Sequence, residues 1–204
     1  MMASLSPCAR AVTGGAKAGL NISNFTGKDA KPDYGSIIQK SGFIAGGYVI
    51  IPVKDQFSFQ PELMISQKGA IYKFVLDNIP SVGTLAFEEI ITLTYLELPL
   101  LARYDVRSRG AAHPNIVFGP SFGIKMTARG ETRSLGVTDS ASLTGVKTID
   151  PGVVLGGGVD ITSGGSKITF ELRYTLGLST IYDHADGNVN IRNSVGSFLL
   201  GYQF

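Results

Sequence analysis

Tryptophan is absent from this 204-residue chain, cysteine occurs once and histidine twice. A single thiol, Cys8, cannot close an internal disulfide, and one cysteine with two scattered histidines supplies too few ligands for a structural zinc site. Charge is scarce too: Asp, Glu, Lys and Arg make up 17% of the residues, against about 25% in an average soluble domain. The net charge is +2 and the lysines and arginines stand singly, so no basic stripe tracks a phosphate backbone and nucleic acid is not an expected partner. No window approaches the ~20 apolar residues of a membrane helix, although the mean hydropathy is positive. Nor does any segment carry a convincing 3.6-residue period, which leaves little room for helices. The opening MMASLSPCAR lacks the basic and long apolar regions of an intact secretory signal. Residues 1–12 therefore read as a flexible tail, and a lipid anchor on Cys8 would lack its preceding signal.

What is present is glycine, 26 residues of it, spread with the prolines at intervals that suit many short turns. Between the turns, apolar and polar residues alternate. In FSFQPELMISQK, Phe57, Phe59, Pro61, Leu63 and Ile65 share one face, opposite Ser58, Gln60, Glu62, Met64, Ser66 and Lys68. In YLELPLLARYDV, Leu96, Leu98, Leu100, Ala102 and Tyr104 oppose Tyr95, Glu97, Pro99, Leu101 and Arg103; ITFELRYTLGLS repeats the pattern. A period of two is that of a strand. Eight such stretches are expected, at 13–23, 42–52, 56–74, 88–105, 114–128, 151–162, 167–181 and 194–204. Their connections alternate between long and short, with long ones expected near 75–87 and 129–150. Successive antiparallel neighbours would then gather the long loops at one end and the short turns and termini at the other.

Eight antiparallel up-and-down strands close naturally into a barrel, which removes exposed edges. A soluble barrel of the lipocalin kind would turn its apolar face inward; a transmembrane one would turn it toward lipid. Three features favour the transmembrane form. The polar faces are rich in Gly and Ser (Gly119, Ser121, Gly123; Gly152, Gly156, Gly158), which suits a tight lumen. The small residues leave room for Glu62, Glu97, Arg103, Lys125, Asp160, Glu171 and Arg173 to pair with one another, avoiding the several kcal/mol that each unpaired buried charge costs. The opposite faces are nearly free of charge over about ten residues, enough to cross a bilayer at a tilt. Aromatic rings (Phe43, Phe57, Tyr72, Tyr95, Tyr104, Phe118, Tyr182, Tyr202) gather toward strand ends, where a membrane boundary is expected.

The terminus SFLLGYQF, with Tyr202 and Phe204, resembles the sorting signal of bacterial outer-membrane barrels. AGLNISNFTG, GFIAGGYVIIPVKDQFSFQPELMISQKGA, TYLELPLLARY, VFGPSFG, GVVLGGGVDI and ELRYTLGLSTI, in this order over residues 15–204, resemble the PorT-like outer-membrane β-barrel family common in Bacteroidetes. The resemblance implies an all-β, eight-stranded transmembrane barrel over 13–204 in the outer membrane of a Gram-negative bacterium. It would be inserted by the barrel assembly machinery and surrounded by outer-membrane lipid.

No enzymatic constellation accompanies this pattern. His113 precedes a proline in a short turn. His184, with Asp183, Asp186 and Asn188, lies in a loop whose spacing is not that of an EF-hand, and the run Gly156–Gly158 follows no strand-to-helix switch. No cofactor or metal is expected. Eight strands enclose an interior about wide enough for side chains alone. The expected role is thus a structural or interaction barrel, its lumen plugged by polar side chains and its long loops meeting a partner. A narrow pore for small solutes, a soluble binding barrel and an outer-membrane enzyme are the alternatives.

Overall fold

A computed structural model describes residues 11–32, 34–79, 83–134, 137–182 and 190–204. Every regular element among them is a strand: β1 (Thr13–Thr26), β2 (Ser36–Lys54), β3 (Phe57–Ile79), β4 (Gly83–Asp105), β5 (Ala112–Ser134), β6 (Val137–Ser142), β7 (Ile149–Ser163), β8 (Ser166–Gly177) and β9 (Arg192–Gln203). All pairings are antiparallel. The order β4-β3-β2-β1-β9-β8-β7-β5, closed by β4–β5, is a ring of eight strands; β6 pairs with β5 alone. The eight expected stretches are these eight wall strands, and β6 is an addition.

Turn chemistry fixes one end. Asp55 adopts a positive φ of 48° in the two-residue link between β2 and β3, a conformation that Asp tolerates because its short side chain bonds locally. Gly164 and Gly165, both at positive φ, supply the turn between β7 and β8 that matches strand twist. At the other end the strands run further than their sequence suggests. The segments near 75–87 and 129–150, expected as loops, instead carry β3 and β4 on to Ile79 and from Gly83, and β5 on to Ser134, with β6 folded against it. Approaching that end, at Ala70, Tyr72, Leu93 and Ile91, the inward face stays buried but becomes apolar.

That change of polarity organises the molecule. Along the lower wall the outward side chains are apolar and exposed: Phe57, Phe59, Leu63 and Ile65 on β3, Ile116, Phe118, Phe122 and Ile124 on β5, Ile168, Phe170, Leu172, Tyr174 and Leu176 on β8, Phe198, Leu200 and Tyr202 on β9. Their alternates are buried, including Glu62, Glu97, Arg103, Glu171 and Arg173. At about 3.3 Å per residue and the usual tilt of about 35–45°, the stretch from Ile168 to Leu178 rises roughly 25 Å, the height of the apolar band on a membrane barrel. Above that band the pattern inverts. Phe25, Ala70, Tyr72, Ile91, Leu93, Tyr95, Ala128, Val146 and Ile181 form an inward apolar cluster, while the outer face carries Thr92, Thr94, Thr127 and Arg129.

The inversion corrects part of the aromatic expectation. Phe57 and Tyr104 meet at 5.0 Å on the outer wall near the short-turn end, and Tyr202 is exposed there. Tyr72 and Tyr95, however, are buried within the inward cluster, and Tyr182 packs against it. Their rings close the interior rather than mark a lipid boundary.

Candidate functional site

The interior is lined by every second residue of each wall strand, and its charges fall into three groups. In the middle group, Arg173 of β8 donates from Nη1 and Nη2 to the two carboxylate oxygens of Glu62 on β3, at 2.7 and 3.0 Å. Arg173 also pairs with Glu171. Lys17 of β1 donates to both Glu62 and Glu171 at 2.9 Å, with its ammonium 4.4 Å from the centre of the Tyr48 ring. Gln60 donates a further bond to Glu62 at 2.7 Å. Two cations and two carboxylates are thus matched, as burial requires. In the closed strand order β3 and β8 stand on opposite sides of the ring. The Arg173–Glu62 bond therefore crosses the full diameter.

Nearer the short-turn end, Arg103 of β4 pairs with Asp160 of β7, reaches Asp105 at 2.8 Å and bonds Gln60 at 3.2 Å. Asn115 and Thr169 also donate to Asp160, at 3.3 and 2.9 Å. Below this group opens a cavity of about 660 Å³ lined by Asp105, Arg107, Arg109, His113, Asp160 and Lys167 among others. Toward the long-strand end, Lys68 of β3 pairs with Glu97 of β4 and sits 3.4 Å from Asp150 of β7. Asn193 of β9 donates to Asp150 at 2.8 Å. Between the middle and upper groups a neutral layer joins β1, β3 and β9: Asn21 donates to Ser66 at 3.0 Å and accepts from Ser197 at 2.7 Å.

Of the seven charged residues expected in one lumen network, six are buried in the interior: Glu62, Glu97, Arg103, Asp160, Glu171 and Arg173. They belong to separate groups, since Glu97 meets Lys68 and neither arginine. Lys125 stands apart. It keeps the inward parity of Gly123, opposite Tyr95 and just before the bulge at Met126, but it donates to the Val146 carbonyl of the overlying segment and not to a carboxylate. Lys17, Lys68 and Asp150 complete the groups and were missing from the expected set. Lys17 shares its parity with Gly15, Gly19, Asn21 and Ser23, and Lys68 lies on the polar face of its strand, so the alternation carried both signals; Asp150 begins one residue before the stretch counted as a strand.

Tyr202 is exposed on the outer wall, and Phe204, also exposed, anchors its backbone by donating to the Gly14 carbonyl at 3.0 Å. Cys8, Asp183, His184, Asp186 and Asn188 lie outside the described residues. Among the described residues no three His, Cys, Asp or Glu side chains are grouped to hold a metal ion.

An outward apolar belt, an inward polar column and a closed ring are the marks of a membrane-spanning barrel. Residues 3–183 match the family model described as the outer membrane protein beta-barrel domain. The chain belongs to that family. This outer-membrane barrel therefore resides in the outer membrane of a Gram-negative bacterium. Among solved structures it is similar to Neisserial surface protein A, at 12% identity over 95% of this chain and 98% of that one, with a TM-score of 0.49. It is similar also to Ail, the attachment invasion locus protein of Yersinia pestis, at 12% identity over 94% and 98% of the two chains, TM-score 0.41. OprG from Pseudomonas aeruginosa gives 13% identity over 95% and 94%, TM-score 0.40. No curated protein matches the chain.

Proposed function

We propose that this outer-membrane barrel is a sealed structural anchor, its lumen plugged by side chains and its long end presented at the cell surface to a protein or surface partner. The observation that supports the plug best is the Arg173–Glu62 bond between opposite strands. A solute path at that level would require a bidentate, charge-assisted contact between buried side chains to break, leaving Arg173 and Glu62 without each other. The apolar cluster of Tyr72, Leu93, Tyr95 and Ile181 above it supplies a second barrier that no hydrated ion crosses cheaply.

In this reading the protein performs no catalysis and uses no cofactor. Its terminal Tyr202 and Phe204 are the signal read by the assembly machinery, and its ordered motifs resemble those of the PorT-like barrels. The competing reading is a narrow pore. Planar-bilayer recording of the refolded protein separates the two: a silent bilayer is expected, and discrete single-channel steps from the unaltered chain would overturn the plug.

A further inference from the structure

The outer face of the upper wall changes character within one row of side chains. Cross-strand registers align Ala45, Ile65, Leu96 and Ile124 as the top row of the continuous apolar belt. The next row is Gln67, Thr94 and Thr127, then come Gly69, Thr92 and Arg129, then Ile71, Ile90 and Glu131, then Lys73, Glu88 and Arg133. Rows are about 7 Å apart along a strand, less once tilted, so the first polar rows fall in the headgroup layer that adds roughly 5–7 Å to each side of the hydrocarbon.

These rows form a groove of about 490 Å³ whose lining includes Lys40, Gln67, Thr94, Thr127 and Arg129. Its lining carboxylate, Glu131, bonds Arg133 at 3.1 Å, and Glu88, outside the lining, pairs with Lys73 at 2.6 Å. Lys40 and Arg129, by contrast, have no carboxylate within ion-pair distance among the described residues. Among the described residues the Lys40 ammonium donates to the Ser41 carbonyl, at 3.2 Å. Its stem is held low over β3 because Gly69 has no side chain: a Cβ there would stand 3.2 Å from the Lys40 Cδ and 1.9 Å from the Ile91 carbonyl oxygen. A largely buried lysine beside a guanidinium and threonine hydroxyls is a donor-rich set, and the one lining carboxylate, Glu131, attracts the Lys40 ammonium through space while bonding Arg133.

We infer that this groove binds the phosphorylated headgroup of an outer-leaflet lipid, with Lys40 and Arg129 on the phosphate and the acyl chains lying down the apolar rows beneath. The match is one of charge and of depth together. An anion delivered by a lipid arrives at this height, and the adjoining wall of Ile65, Leu96 and Ile124 receives its tails. The inference rests on the outward orientation of the long end in the proposed function, but not on the plug; conductance tests the plug and lipid retention tests the groove.

The test uses the folded protein in phosphatidylcholine nanodiscs doped with bis-phosphorylated lipid A or with the same lipid stripped of phosphate, bound lipid being counted after washing. The unaltered chain should retain the phosphorylated lipid in preference to the stripped one, more weakly as salt rises. Lys40→Gln/Arg129→Gln should lose about tenfold or more in retention, and Lys40→Arg should keep most of the retention that Lys40→Gln loses. Should the double variant fold poorly, Thr127→Glu, at an exposed groove position, should produce the same loss. Equal retention by these variants, an equal loss from Arg109→Gln/Lys167→Gln at the far mouth, or full competition by inorganic phosphate would overturn the assignment.

Discussion

Replacing Glu62 and Arg173 by methionine, singly and together, tests whether the interior is held by charge balance or merely by packing. Both side chains are almost fully buried, and methionine roughly keeps their volume, so cavity effects stay small. Glu62→Met removes one of two carboxylates and leaves Lys17, Arg173 and Glu171, a net positive group with Gln60 also deprived of its acceptor. Arg173→Met leaves Lys17 between two carboxylates, a net negative group. Each single change should cost about 3–5 kcal/mol, the usual penalty for stranding a buried charge. The double change leaves Lys17 and Glu171 still paired at 2.9 Å, a neutral group, and should cost less than either single change. Urea unfolding from phospholipid vesicles, followed by heat-modifiable gel mobility, reads all four proteins. A double variant whose cost is the sum of the two single costs would refute the balance argument, since additivity is the mark of sites that do not interact.

Four further outcomes are expected. Glu97→Ala leaves Lys68 with Asp150 alone, 3.4 Å away, and should cost about 3–5 kcal/mol; Lys28→Ala, in an exposed loop, should stay within about 0.5 kcal/mol of the parent. Leu98→Arg and Leu172→Arg place a cation on the apolar belt and should each destabilise the barrel by about 2–4 kcal/mol in vesicle unfolding, whereas Thr138→Arg on exposed β6 should be tolerated. Deleting Phe204 should lower outer-membrane levels in cells yet leave refolding into detergent nearly unchanged, because its exposed ring adds little packing; equal levels in cells would count against a sorting role. Burial first, and the Glu89 carboxylate second, raise the Tyr182 phenol above its ordinary value. The unfolded chain then loses that proton first, so the stability involved is whole below about pH 10 and declines as pH rises further. Tyr182→Phe should flatten that decline in unfolding midpoints measured across the alkaline range.

Where one solvent faces one side of a strand throughout, the sequence was readable. β8 shows this: Ile168, Phe170, Leu172, Tyr174 and Leu176 are all exposed and Thr169, Glu171, Arg173 and Thr175 all buried, because lipid outside and a narrow polar interior impose a strict period of two. The upper parts of β3 and β4 resisted the same reading. Ala70 and Tyr72 face inward while Ile71 faces outward, so both faces carry apolar residues and the alternation fades before the strand ends. Partners inside the lumen were harder still. Parity says that Glu97 and Arg103 point inward, but their neighbours depend on stagger between strands far apart in the chain, and that stagger sets Lys68, 29 positions before Glu97, against it. Lys125 has the inward parity too, but opposite Tyr95 it meets the Val146 carbonyl and not a carboxylate.

The inversion of polarity along β3, β4 and β5 explains why one chain needs both a charged interior and an apolar one. Within the belt, lipid outside takes the apolar side chains, so the polar ones are left inside and must satisfy each other, as Glu62, Arg173, Glu171 and Lys17 do. Above the belt, water replaces lipid, and the hydrophobic effect again drives apolar groups inward, as in any soluble sheet. The two regimes meet at Lys68 and Tyr95, whose ammonium and ring centre lie 5.2 Å apart; the charged column ends there and the cluster of Leu93, Tyr72 and Ile91 begins. In the proposed reading the seal is therefore double, with an ionic layer spanning the diameter and an apolar cap above it. The two layers fail for different reasons, since unpaired charge weakens the first and lost packing the second. Arg173→Met alone should accordingly leave the bilayer silent even as it destabilises the fold, and conduction would require the cap to be breached as well, as by Leu93→Ala combined with Ile91→Ala in the same chain.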